Sequence, residues 1–183
     1  MKWPYELGAS LTTLQSEFDL VVAQFERPLV QFLHRFVFRT DVALDLAQES
    51  FVKAYQNLHR YDSARPFSTW LFSIASNLAK DYLRRQGRLV PMDGVDSAAE
   101  EAAPLFLRPD RQLQAAELGA AMEEAVAALP LLLREPLLLR HTAGLSVEET
   151  AEALGVSANV VKVRLFRARQ KLQEMLGKEW LGA

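Results

Sequence analysis

The chain has 183 residues, 50% of them apolar and 24% charged, enough hydrophobic surface for one moderate core or two small ones. It has no cysteine, which excludes disulfides, thiolate metal sites and a thiol nucleophile. Its longest charge-free stretch, Pro66 to Ala79, is 14 residues. That is well short of the roughly 18 to 20 apolar residues of a membrane span, and no apolar run follows the lysine of MKWPYELGAS, so a cytoplasmic address without membrane insertion is expected.

The net charge of -2 hides an uneven distribution. Residues 61–90 hold five basic and two acidic groups, residues 91–130 two basic and eight acidic, and residues 153–173 five basic and none acidic. Two basic islands therefore flank an acidic stretch.

In chain order, Leu44, Ala47, Phe51, Ala54, Tyr55 and Leu58 mark one face of a helix, and Phe67, Trp70, Leu71, Ile74, Leu78 and Tyr82 mark the next. No period-2 strand pattern interrupts them. Between Gln86 and Arg111, QGRLVPMDGVDSAAEEAAPLFLRPDR loses the periodicity and gathers prolines, glycines and acids, as a linker does. The expected fold is all-α, two small helical domains joined by a flexible linker: 1–90, linker 91–112, and 113–183. Helical spacing resumes near Leu113, and Pro130 opens a further helix. Pro136 falls inside that helix, where it removes a backbone hydrogen bond and predicts a local bend.

The sharpest local pattern is GLSVEETAEALGVSANVVKVRLFRARQKL. Ser146 with Glu149 forms a capping box, Gly155 supplies a tight turn, and Ser157 caps the following helix, which together read as a helix-turn-helix. In the second helix Val161, Leu165, Ala168 and Leu172 share the inward face. Asn159, Val163, Phe166 and Gln170 then lie opposite, with Lys162 and Arg167 on the flanks. Val and Phe against thymine methyls, with cations on phosphates or guanine edges, make a DNA-reading surface. The alternative is that Val163 and Phe166 pack on a neighbouring helix while the cations are solvated.

NLAKDYLRRQGR, the other basic island, closes a helix rich in aromatic residues. Interleaved cations and rings suit single-stranded nucleic acid, although the spacing of Phe67, Trp70 and Tyr82 also suits core packing. Asn77 lies off the apolar stripe, where its amide can contact a base edge. Catalysis is poorly supported: His34, His59 and His141 lack metal-ligand spacing, and neither a glycine-rich phosphate loop nor a Ser-His-acid grouping is present. No enzyme activity, metal or cofactor is expected.

Three stretches together resemble the extracytoplasmic-function (ECF) group of the sigma-70 family, transcription initiation factors built from sigma regions 2 and 4. DLAQESFVKAY (Asp45 to Tyr55) is similar to region 2.2, FSTWLFSIASNLAKDYLRRQGR (Phe67 to Arg88) to regions 2.3 and 2.4, and LREPLLLRHTAGLSVEETAEALGVSANVVKVRLFRARQKL (Leu133 to Leu172) to region 4. The resemblance implies that Asp45, Leu46, Gln48 and Glu49 bind the β′ clamp helices of core RNA polymerase. It implies that Asn77, Lys80, Arg84 and Arg85 bind the melted -10 element. It assigns Asn159, Lys162, Val163, Arg164, Phe166 and Arg167 to the -35 element of promoter DNA, region 4 to the polymerase β flap, and an anti-sigma factor as a further partner. The chain departs from relatives at Val160 and Val163, where Thr and Ser are common, and at Pro136, where an aliphatic residue is. An acidic linker folding back over the last basic helix would suppress promoter binding by the free chain. Two rival readings are a stand-alone helix-turn-helix regulator, which requires a dimer and a palindromic operator, and a helical interaction module without nucleic acid.

Overall fold

The computed structural model describes residues 18–87 and 114–177, with the side chains of 114–118 excepted. The N-terminal ten residues, the linker 91–112 and the fold-back assigned to it lie outside the described residues. Among these the chain is all helical: α1 (Phe18–Val37), α2 (Thr40–Gln56), a 3-10 turn (Leu58–Arg60), α3 (Phe67–Arg85), α4 (Gln114–Ala128), α5 (Leu131–His141), α6 (Val147–Leu154) and α7 (Ala158–Leu176).

α1 was not singled out from the sequence, yet Val21, Phe25, Leu29, Phe32, Leu33 and Phe36 recur at helical spacing and are buried. Their burial contributes about 1.5–3 kcal/mol each. That outweighs the roughly 3 kcal/mol cost of Pro28 inside the helix. Phe38, at φ 56, turns the chain out of α1.

In α2 the buried face is Ala43, Leu46, Ala47, Ser50, Phe51 and Ala54, rotated from the predicted stripe. Leu44 and Tyr55 are about half exposed. The small residues carry the helix close to its neighbours, and Ser50 satisfies its hydroxyl on the Leu46 carbonyl at 2.6 Å. α3 is buried over a broad band rather than a stripe, from Phe67 through Leu71, Phe72, Ala75, Ser76 and Ala79 to Leu83. It is the central helix of the first core.

That core also takes in Leu138, Leu139, Ala143 and Leu145 from the second half of the chain. A second core joins Ala125, Leu129, Leu133 and Leu137 to Ala151, Val161, Leu165, Ala168 and Leu172. α5 therefore feeds both cores from opposite sides. Pro130 is the residue just before α5 and Pro136 lies inside it, buried, with the helix continuous through it. The Arg134 guanidinium stands over the rings of Phe36 and Phe38, 6.0 and 5.3 Å from their centroids. Burial pushes its pKa down to about 10.

Candidate nucleic-acid and polymerase interfaces

The helix-turn-helix is built by its caps. Ser146 Oγ accepts from the Glu149 amide at 3.1 Å, while the Ser146 amide donates to Glu149 Oε2 at 2.6 Å. Thr150 adds a hydroxyl bond to the Ser146 carbonyl at 2.7 Å. Gly155 ends α6 in the left-handed region at φ 65, which a side chain would oppose, and the chain turns directly into α7. Ser157 caps α7 on the Val160 amide.

α7 buries Val161, Leu165, Ala168 and Leu172, the face expected from the spacing. Val160, Val163 and Phe166 are 38%, 50% and 59% exposed. Val163 and Phe166 thus lie outside the core of the described residues, on the side of α7 opposite its buried face. Asn159, Lys162 and Arg167 are exposed around them and Arg164 is half-buried, so the apolar pair stands within a cationic rim. At the foot of this surface, burial and then the charges of Arg169 and Arg140 hold the His141 imidazole below its ordinary pKa.

On α2, Asp45, Gln48 and Glu49 are exposed on the side away from the core. Glu49 pairs with Lys53 at 3.1 Å, one turn on. Leu46, assigned to the same contact, lies beneath these three. It is only 5% exposed, its side chain is committed to the core, and it reaches the surface solely as part of a shallow cleft with Val42, Asp45, Glu49, Tyr82, Arg85 and Gln86.

α3 presents Asn77, Arg84 and Arg85 on its outer face. Asp81 engages both arginines, Arg84 through its carboxylate at 2.7 Å and Arg85 through its carbonyl at 3.3 Å. Lys80 is half-buried instead, with Nζ 2.9 Å from Glu135 of α5. Of the aromatic residues, Phe67 belongs to the core, while Trp70 is half-buried beside Tyr61, their centroids 5.2 Å apart.

Tyr61 and Trp70 belong to a feature that the sequence reading missed. Arg60, Tyr61, Asp62, Arg65, Thr69, Trp70 and Ser73 line a cleft of about 220 Å³, closed on one side by Glu152 and Ala153 of α6. The buried Thr69 hydroxyl there has no hydrogen-bond partner. The signal was the alternation of cations and rings in HRYDSARPFSTW, most of which precedes α3, where helical periodicity gives no guidance. Among the described residues no group of three or more His, Asp or Glu could hold a metal ion, and no helix is long and apolar enough to cross a membrane.

Comparisons with known proteins converge on one family. The model of Sigma-70 region 2 matches residues 21–89 and that of Sigma-70 region 4 matches residues 119–172. The ECF RNA polymerase sigma-E factor of Haemophilus influenzae is 34% identical over 167 residues, 87% of each chain. CnrH, solved in complex with the cytosolic domain of CnrY, superposes with a TM-score of 0.68 at 29% identity, covering 92% of this chain and 93% of that one. The sigma factor RpoE of Bartonella quintana, solved with the anti-sigma factor NepR, gives 0.65 at 27% identity, covering 87% and 96%. The chain thus belongs to the ECF group of the sigma-70 family, the promoter-specific initiation factors of RNA polymerase.

Proposed function

We propose that the chain divides promoter recognition between its two halves, 1–90 and 113–183, joined by the linker 91–112. The observation that carries this reading is α7, which turns Val163 and Phe166 outward among cations while its opposite face seats it on the domain. Asn159, Lys162, Val163, Arg164, Phe166 and Arg167 read duplex -35 DNA, the apolar pair on thymine methyls and the cations on phosphates or guanine edges. Val160 and Val163 give no hydroxyl contacts, so the -35 sequence differs from that of relatives with Thr and Ser there.

Asn77, Lys80, Arg84 and Arg85 hold the melted -10 element. The neighbouring Tyr61–Trp70 cleft, with Arg60 and Arg65 at its walls, suits an unstacked base. The exposed Asp45, Gln48 and Glu49 bind the β′ clamp helices, and the helix-turn-helix half engages the β flap. The protein acts in the cytoplasm without bond chemistry of its own. Melting draws on binding energy, a few kcal/mol per flipped base. An anti-sigma factor is the expected antagonist, since the similar sigma factor RpoE of Bartonella quintana was solved with the anti-sigma factor NepR.

Run-off transcription with core polymerase and a random promoter library tests the reading. Enrichment of templates with paired -35 and -10 elements is expected, and an unselected product pool overturns it.

A further inference from the structure

The outward face of α7 carries a third exposed apolar side chain, Val160, beside Val163 and Phe166. The three recur every third residue, and positions three apart on a helix are surface neighbours. They form one strip that rises about 9 Å along the axis, enough to pass roughly three base pairs. Val160 lies in the first turn, where Ser157 Oγ caps its amide at 3.4 Å. Helix-turn-helix proteins direct that end of the second helix at base edges. Lys162 and Arg167 are exposed beside the strip, and residues 153–173 contain no carboxylate, a border complementary to a polyanion.

The chemistry of the strip is narrower than its charge. Valine and phenylalanine side chains neither donate nor accept hydrogen bonds, so the feature of a base edge that they favour is an apolar one. In the major groove that feature is the methyl group on C5 of a pyrimidine, present on thymine and 5-methylcytosine and absent from uracil and cytosine. A helix holds valine in one dominant χ1 rotamer, so the methyls of Val160 and Val163 are directed before DNA arrives. The strip does not tell thymine from 5-methylcytosine, because the groups that differ, O4 and the N4 amino group, need a polar partner to be distinguished.

We propose that Val160, Val163 and Phe166 form a reader of C5 methyl groups. It accepts thymine and 5-methylcytosine alike in the -35 element, and methylation of a cytosine facing the strip strengthens promoter recognition. Val160 is thereby a specificity-determining residue alongside Val163 and Phe166. This rests on α7 reading duplex -35 DNA as proposed above.

Holoenzyme of the full chain and core polymerase is titrated, at fixed salt, with the promoter duplex enriched from the random library. Replacing -35 thymines one at a time by deoxyuridine removes a methyl and leaves every hydrogen-bonding edge in place. Two or three neighbouring positions should each lose about fourfold in affinity, the effect of burying one methyl group. Where a C·G pair is put at one of those positions, 5-methylcytosine should bind about fourfold tighter than cytosine. Val160→Ser with Val163→Ser, both at exposed positions, should shrink the deoxyuridine penalty to less than about twofold where the valines face the DNA, with helical content by circular dichroism retained. The substitutions in DNA need no protein variant, so they decide the matter even if the double variant unfolds. Deoxyuridine without effect at every -35 thymine, 5-methylcytosine binding no tighter than cytosine, or an undiminished penalty in a folded double variant overturns the methyl reader. If scrambling the whole -35 duplex leaves affinity unchanged, the -35 assignment itself fails and the methyl reader with it; if scrambling weakens binding while deoxyuridine does not, the methyl reader alone fails.

Discussion

Leu165 and Phe166 are neighbours in sequence and opposites in environment, which makes them a paired test of α7. Leu165 is 4% exposed in the second core, so truncation to alanine removes buried methyls and leaves a cavity that costs about 2–5 kcal/mol. Phe166 is 59% exposed, and its truncation should change stability by no more than about 0.5 kcal/mol. Burying a phenylalanine fully is worth about 1.5–3 kcal/mol, and rather more than half of that surface is still available. Contact with DNA should therefore contribute about 1–2 kcal/mol, or roughly 5- to 30-fold in affinity. Urea unfolding measures the first effect. Titration of a -35 duplex with holoenzyme at fixed salt measures the second. The reasoning is refuted if Phe166→Ala destabilises the fold as much as Leu165→Ala, or leaves duplex affinity unchanged.

Asp45→Ala with Glu49→Ala should abolish binding to core polymerase in a pull-down while helical content by circular dichroism is retained, since both side chains lie outside the core. Lys162→Ala should lower the slope of log affinity against log salt by about one unit if the lysine meets a phosphate. Arg167→Ala should cost about 1–3 kcal/mol and relax base preference at one -35 position, checked with single-base duplex variants. His141, whose pKa is lowered by burial and by Arg169 and Arg140, binds fewer protons folded than unfolded. Stability should therefore fall as pH drops below about 6.5 and level off beneath the lowered folded value. His141→Gln should flatten that part of the profile in thermal melts taken from pH 7.5 to 5.

The sequence by itself determined the helical class, the turn signals around Ser146, Gly155 and Ser157, and the phase of α7. All of these are local. A cap acts within one turn, and a helix 19 residues long with one apolar face has only one way to sit on a core. It also placed Asp45, Gln48, Glu49 and Asn77 on the surface, because carboxylates and amides off an apolar stripe are costly to bury without a partner.

Tertiary structure decided what depends on neighbours from distant segments. Whether Leu44 or Leu46 faces inward depends on how closely Ala43, Ala47 and Ala54 let α2 approach α1 and α3, and periodicity within α2 alone put Leu44 on the wrong side. α3 carries a cation at Lys80 that composition marks as solvated, yet a carboxylate 55 positions along the chain claims it. Pro136 stays inside a continuous helix because α5 is packed on two sides, by Leu133 and Leu137 in one core and by Leu138 and Leu139 in the other. The cleft around Tyr61 and Trp70 exists only because a loop, α3 and α6 meet there. Spacing along one helix fixes which face is apolar; only the packed chain fixes which charges that packing brings within reach of one another.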